Sequence, residues 1–308
     1  MAEKSTLRIA HIGITDHLIL GITKAKLQNG IEKFQYGELE TVCKFGWNEV
    51  DQAICDGSVD GAFILAPMAI DLFKSGQKIK LVLLGHKNGS VIIKNKSANI
   101  KKLEDFIGKT IIIPYQLSIH HMLLHQMLAK QGITAGFEGD VKLEVFAPAQ
   151  IPEAIQYDEE GEIGGFIVAE PFGSQVINEG LGEEFALSKD LWNNHPCCVF
   201  IMREDTIAKK GDAVHELMQS LVKSGQFIGD NPKGAAQIGA QFLKQKVEVV
   251  ERVLTQPADR IRTDELLPVL EDLDKIQNYM TDKMHIMKSK IDVEKLVDFQ
   301  FANTAGAK

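Results

Sequence analysis

Cysteine is scarce, and the four present, Cys43, Cys55, Cys197 and Cys198, form no CxxC pair. That excludes a disulfide framework and a multi-cysteine zinc cage, and leaves free buried thiols as the expectation. Long apolar runs are also missing. The stretch MAEKSTLRIAHIGITDHLI at the start falls far short of the roughly 20 apolar residues that a membrane span needs. It also lacks the apolar core and small-residue cleavage site of a secretory signal, which sets a cytoplasmic expectation if the chain is complete. Positive charge is in deficit: 34 basic residues face 42 acidic ones, for a net charge of −8. Phosphate neutralisation needs basic clusters, so no nucleic-acid partner is expected.

Several chemical signatures are absent as well. No GxGxxG follows the first predicted strand, and no GxSxG elbow occurs anywhere. Gly108-Lys109-Thr110 ends like a phosphate loop, but Leu103 stands where that loop requires its first glycine. A strand rather than a helix is predicted to follow it.

What remains is ordinary globular material, 44% hydrophobic and 25% charged over 308 residues. At roughly 100–200 residues per domain, that length suggests two domains. Short apolar runs alternate with helical patterns through the first two-thirds. Strands are predicted at 7–14, 39–45, Gly61–Leu65, 79–85 and 90–94, with helices at 16–27, 47–56 and 67–74 between them. Asp16 can cap the first of these helices, and Pro67 suits the first turn of the third. The cycle repeats with a short helix at 101–106, strands at Thr110–Ile113, 141–145 and 164–168, and helices at 118–131, Ile151–Tyr157 and 171–178. Cys198–Arg203 is a last strand. Helices alone follow, at about 214–225, 232–242, 247–254, 264–280 and 293–299, and the polar tail 303–308 is expected to fray.

Strands alternating with helices give an α/β chain with mostly parallel sheets. Ligands of such sheets bind outside the carboxyl ends of the strands, so the residues just after each strand are the candidates. These are Thr15, Asp16 and His17; Gly46 and Trp47; Ala66, Pro67 and Met68; Gly85 and His86; Tyr115 to His120, with Gln116 and Ser118; Ala147 to Ile151, with Ala149 and Gln150; and Glu170, Pro171 and Phe172. Several open helices, whose free N–H groups hold small anions without Lys or Arg.

Four local patterns carry competing readings. His120, His121 and His125 form HHxxxH on one predicted helix, but no HExxH and no nearby acid completes a ligand set, so no metal is expected. His195-Pro196-Cys197-Cys198 reads either as a histidine-activated thiol or as a strand crossing back with small residues for packing. Strand alternation sends adjacent side chains to opposite faces, which favours packing. Glu170 reads equally as a cleft acid receiving a cation or amine and as a solvated carboxylate or helix partner. Ser118 is a helix cap whose hydroxyl can also meet a ligand.

Four segments taken together carry a resemblance: WNEVDQAICDGSVDGAFILAPM, GKTIIIPYQLSIHHMLLHQMLAKQGI, GGFIVAEPFGSQVINEG and LWNNHPCCVFIMRED. In this order they resemble the nitrate/taurine/sulfonate (NitT/TauT) family of ABC-transporter substrate-binding proteins, over about residues 7–300. That family is related to the yeast-type pyrimidine-precursor synthases. The resemblance implies a periplasmic binding protein-like type II fold with a helical C-terminal extension. Residues 1–89 and 199–308 form one lobe and 90–198 the other, closing on a ligand about a hinge. It further implies a solute-binding role without catalysis, cofactor or metal, in a monomer that meets ABC permease and ATPase subunits. It places such proteins in the periplasm or outside the cell. Its ligand positions carry over to Thr15–His17, 66–68, 85–86, 118–120, 147–150 and 170–172. No Arg or Lys follows the first three strands, so a bound anion depends on helix N-termini, His17, His86, Lys87 and His120, and is weakly charged or zwitterionic. Two alternatives remain. One is a cytoplasmic synthase-like enzyme, which needs pyridoxal phosphate on a lysine, a sacrificial histidine and a cysteine-rich segment; residues 61–68 supply neither the lysine nor the histidine. The other is a cytoplasmic ligand sensor of the same fold.

Overall fold

A computed structural model describes residues 4–136 and 138–308. The chain opens with β1 (Ser5–His11), a single 3-10 turn at Thr15–His17, α1 (Leu18–Gln28), β2 (Gly37–Cys43), α2 (Trp47–Cys55), β3 (Gly61–Leu65), α3 (Ala66–Lys74) and β4 (Ile79–Leu84). Every residue of β3 is buried, as a strand covered on both faces demands. A two-residue strand β5 (Lys87–Asn88) then leads into β6 (Ser90–Asn95). There follow β7 (Thr110–Ile113), α4 (Ile119–Ala129), β8 (Lys142–Val145), α5 (Ile151–Tyr157), β9 (Ile163–Ala169), α6 (Phe172–Asn178), β10 (Gly182–Leu187) and α7 (Ser188–Leu191). β11 (Cys198–Arg203) closes the α/β part.

Two five-stranded sheets result, ordered β2-β1-β3-β11-β4 and β10-β6-β9-β7-β8. The first draws its strands from residues 5–84 and 198–203, the second from residues 90–187. Each carries one strand against the grain beside its core strands. β11 runs antiparallel to β3 and β4, and β6 runs antiparallel to β9 and β10. These two strands begin just after the chain has crossed between sheets, at residues 85–89 and 188–197. The crossings touch: Asn88 N donates to His195 O at 3.0 Å, and Asn194 N to the Asn88 side-chain oxygen at 2.8 Å. A third segment joins them when β12 (Ile261–Arg262) pairs with β5.

The remaining helices are α8 (Glu204–Asp230), α9 (Pro232–Leu243), α10 (Val247–Thr255), α11 (Leu270–Asp282), α12 (Val293–Leu296) and α13 (Phe299–Thr304). α8 lies against α1, where Thr23 Oγ1 and Ser224 Oγ share a hydrogen bond of 2.8 Å. Gly225 is required on that helix, because a Cβ there would sit 2.0 Å from Thr263 O. No described helix is long and apolar enough to cross a membrane.

Three sequence expectations change. β10 was not foreseen, because GEEFAL carries two adjacent glutamates and sits at a sheet edge. Residues 263–269 are not helical: Leu84 N donates to Leu266 O at 2.8 Å, which ties that stretch to the end of β4. The tail does not fray. Leu267 N donates to Lys308 O at 2.8 Å and Ala307 N to Ala302 O at 2.9 Å, so the last residues dock on the helical third.

Candidate functional site

The parallel strands of both sheets end toward the crossings, and buried polar side chains gather there. Asp16, His17, His86, His120 and His195 are all fully buried, and Trp47 is nearly so. Each of these six has a side-chain N or O atom without a hydrogen-bond partner among the described residues: Asp16 Oδ1, His17 Nε2, Trp47 Nε1, His86 Nδ1, His120 Nδ1 and His195 Nε2. Only two such atoms, Arg252 Nε and Thr281 Oγ1, occur elsewhere among the described residues. Buried polar groups are normally paired, since leaving one unpaired costs about 1–3 kcal/mol. A concentration of them at strand ends is the mark of a ligand site.

The centre is an ion pair. His86 Nε2 donates to Asp16 Oδ2 at 2.8 Å, with both side chains shielded from solvent. Burial pushes the Asp16 carboxyl up to about 6. Burial opposes charge on His86 too, but Asp16 outweighs it and holds the imidazole at about 10. Both groups are therefore charged at neutral pH. Asp16 does not cap α1, as the sequence suggested; its side chain turns to His86 instead. Gly89 makes room for the pair. Its φ is +87°, and a Cβ there would lie 3.0 Å from His86 Nδ1 and 3.1 Å from Asp16 Oδ1.

The two adjacent thiols join this pair. Strand alternation was expected to part them, but Cys197 precedes β11 and escapes the pleat. Asp16, His86, Cys197 and Cys198 each bring one ligating atom into a cluster whose members all lie within 4.8 Å of one another. Cys198 Sγ stands 3.7 Å from Asp16 Oδ2. Cys197 Sγ stands 4.0 Å from His120 Nε2, which also meets Ser90 Oγ at 2.9 Å. The Cys198 thiol hydrogen-bonds Cys197 and holds it far below the ordinary thiol value, and burial drives Cys198 the other way.

His17 and Trp47 form the next layer. His17 Nδ1 contacts Ile12 O at 3.0 Å, its ring meets the Trp47 ring edge-on at 6.0 Å between centroids, and Phe63 flanks it at 5.2 Å. Burial keeps His17 neutral, well below its ordinary value. His195 is likewise pushed down to about 4 by burial.

Other expected site residues serve the framework. Thr15 donates both its amide and its hydroxyl to Glu170 O, each at 2.8 Å. The Glu170 carboxylate is neither solvated nor free to receive a solute. It accepts from Arg260 Nη1 at 2.7 Å, from Ser174 N at 2.8 Å and from Ser174 Oγ at 2.9 Å. Ser118 caps α4 as expected, accepting from His121 N at 3.1 Å, and its own hydroxyl goes to Tyr115 O at 2.6 Å. Ala66, Pro67 and Met68 are the buried first turn of α3, and Ala66 N donates to Cys197 O at 2.9 Å. Gly85 is wedged, with a Cβ position 3.2 Å from Cys198 O. Phe172 is buried at the start of α6. Gln116, Ala149 and Gln150 are exposed, and Gln150 Oε1 is occupied by Ala147 N at 3.2 Å. Lys87 pairs with Glu265 at 3.0 Å. The three helix histidines do not converge: His121 Nδ1 meets Gln116 O at 2.9 Å and His125 Nδ1 meets Tyr279 Oη at 2.9 Å.

Sequence reasoning missed Ser90 and Arg260, and set His195, Cys197 and Cys198 aside. The adjacent cysteines two positions after a histidine were the available signal. Nothing in the sequence ties Arg260 to Glu170.

Two α/β lobes joined by crossings, with buried polar groups at the facing strand ends, define the periplasmic binding protein fold. The chain belongs to the NMT1-like family, whose model matches residues 1–244. It is 27% identical over 243 residues to the nitrate import ATP-binding protein NrtC of a Synechocystis species, covering 74% of this chain and 36% of that protein. It is 26% identical over 246 residues to the nitrate/nitrite binding protein NrtA of a Nostoc species, covering 73% of this chain and 54% of that one. The chain thus spans between about a third and a half of the relatives' own lengths. In three dimensions it is similar to the ligand-binding component of an ABC-type import system from Staphylococcus aureus, solved with zinc bound. That match has a TM-score of 0.87 at 24% identity and covers 99% of this chain and 100% of that one.

Proposed function

We propose that this chain is the solute-binding component of an ABC importer, with a small oxyanion of the nitrate, bicarbonate or sulfonate class, or a zwitterionic relative, held between lobes formed by residues 1–89 with 199–308 and by residues 90–198. The observation that carries this reading is the set of six unpartnered buried polar atoms at the strand ends. Trp47 Nε1 is a pure donor and suits an oxyanion directly. Asp16 and His86 cancel each other's charge, so the site is nearly neutral and relies on aligned dipoles rather than on Lys or Arg. Such a site suits a weakly charged solute. The names of the relatives, nitrate import and nitrate/nitrite binding, agree with it. Catalysis needs no place in this reading. The pyridoxal alternative has no support in the site, since Lys87 is committed to Glu265.

The test is thermal unfolding and calorimetry with nitrate, nitrite, bicarbonate, taurine and alkanesulfonates. A solute at about 100 times its Kd stabilises the fold by about 2.7 kcal/mol. Stabilisation by one anion class, with 1:1 stoichiometry, is expected. If every oxyanion leaves the melting temperature unmoved, the reading fails.

A further inference from the structure

We infer that Asp16, His86, Cys197 and Cys198 form a binding site for a zinc-class divalent cation at the crossing of the two lobes. The donor set is one carboxylate, one imidazole and two thiols, all fully buried, with their ligating atoms within 4.8 Å of one another. Four ligands of this mixture match a tetrahedral, borderline-soft ion, and hard cations such as calcium or magnesium prefer all-oxygen shells.

Two further observations point the same way. Asp16 Oδ1 and His86 Nδ1 are completely buried and have no partner among the described residues. The geometry is also imposed rather than incidental. Gly89 keeps the space beside both atoms clear, and Cys197 lies outside the β11 pleat, which lets adjacent cysteines face one point. Ala66 N holds Cys197 O at 2.9 Å and Gly85 N holds Cys198 O at 2.8 Å, so the backbone of both cysteines is fixed.

Coordination takes the lone pair of His86 and the two thiolates, so the protons these groups carry pass to solvent on binding. The four ligands come from the turn after β1, the first crossing, and the second crossing where it runs into β11. An ion there pins these three segments together. The site shares Asp16 and His86 with the solute reading, while its two thiols play no part in that reading.

The test uses the full chain, stripped with a chelator and titrated with Co2+ as a spectroscopic probe and then with Zn2+. One equivalent of Co2+ is expected to give thiolate-to-cobalt charge-transfer absorption and intense visible bands of tetrahedral cobalt. Zn2+ should bleach both. Cys197→Ser and Cys198→Ser should each weaken binding by more than about tenfold, a loss that outer-sphere changes alone can produce. The double variant Cys43→Ser, Cys55→Ser, which alters only the exposed thiols, should bind as the parent does. Absence of thiolate–cobalt bands in the parent protein overturns the inference even if the cysteine variants fail to fold. Bands that persist in a folded Cys197→Ser, Cys198→Ser variant overturn it too. Solute binding measured on the same stripped protein reports separately on the importer reading.

Discussion

Thr15 grips Glu170 twice, amide and hydroxyl both donating to one carbonyl oxygen at 2.8 Å. Thr15 follows β1 of the first sheet and Glu170 follows β9 of the second, so this grip latches the lobes across the cleft. Thr15→Val keeps the amide bond and the shape but removes the hydroxyl. The loss is expected to be about 1 kcal/mol, or about fivefold in the opening equilibrium. Hydrogen exchange at the Thr15 amide should accelerate by that factor. Unchanged exchange would show that the hydroxyl adds nothing to the latch.

Arg260 is the largest fully buried side chain among the described residues, at 2% exposure, and its partner Glu170 is at 0%. Removing one member of such a pair strands the other. Arg260→Ala should destabilise the fold by about 3–5 kcal/mol in urea unfolding at neutral pH. A loss below about 1 kcal/mol would mean that Ser174 alone satisfies the carboxylate.

His11 gives the chain a pH dependence away from the cleft centre. It stacks on Phe242 at 4.8 Å, and burial lowers its pKa from 6.5 to about 4, with Lys24 adding to the effect. The folded state therefore holds His11 neutral where the unfolded chain protonates it. Its contribution is complete above pH 6.5 and drains away as pH falls from 6.5 to about 4. The full shift corresponds to about 3 kcal/mol. Comparing His11→Gln with the parent, the stability difference should shrink steadily over that range. A constant difference would mean that the ring titrates alike in the folded and unfolded chain.

Gly89→Ala forces a side chain into left-handed backbone and against the Asp16–His86 pair. A cost of about 1–3 kcal/mol is expected. It should appear as a melting temperature lower by several degrees. A variant with parental melting would show that the pair has slack.

Trp47→Phe deletes one donor while keeping most of the ring. Oxyanion affinity should fall by about tenfold, the value of a hydrogen bond to a charged group, with thermal stability in the absence of solute little changed. Equal affinity would remove Trp47 from the contact set.

Local order was legible where one segment decided it. Gly61–Leu65, Thr110–Ile113, Ile151–Tyr157 and Cys198–Arg203 fall where hydrophobic pattern and punctuation put them. Short edge elements did not declare themselves: β10 is bulged between Glu184 and Ala186, and β12 has two residues. In the site, the strand-end rule found Asp16, His17, Trp47, His86 and His120, because it depends only on strand order. It also drew in Glu170 and Thr15, whose fate depends on partners distant in sequence. Arg260 settles the role of Glu170 from ninety positions away. The thiols were misjudged for a smaller reason: alternation was extended to Cys197, which lies one residue before the strand.

The place of β11 between β3 and β4 also governs how the chain is made. As the protein leaves the ribosome, β4 has no sheet neighbour until β11 emerges, and by then the whole second sheet has been synthesised. The second lobe can fold as one contiguous piece. The first must wait half-built, its apolar strand edge exposed, and it is the segment on which a holding chaperone would act during synthesis.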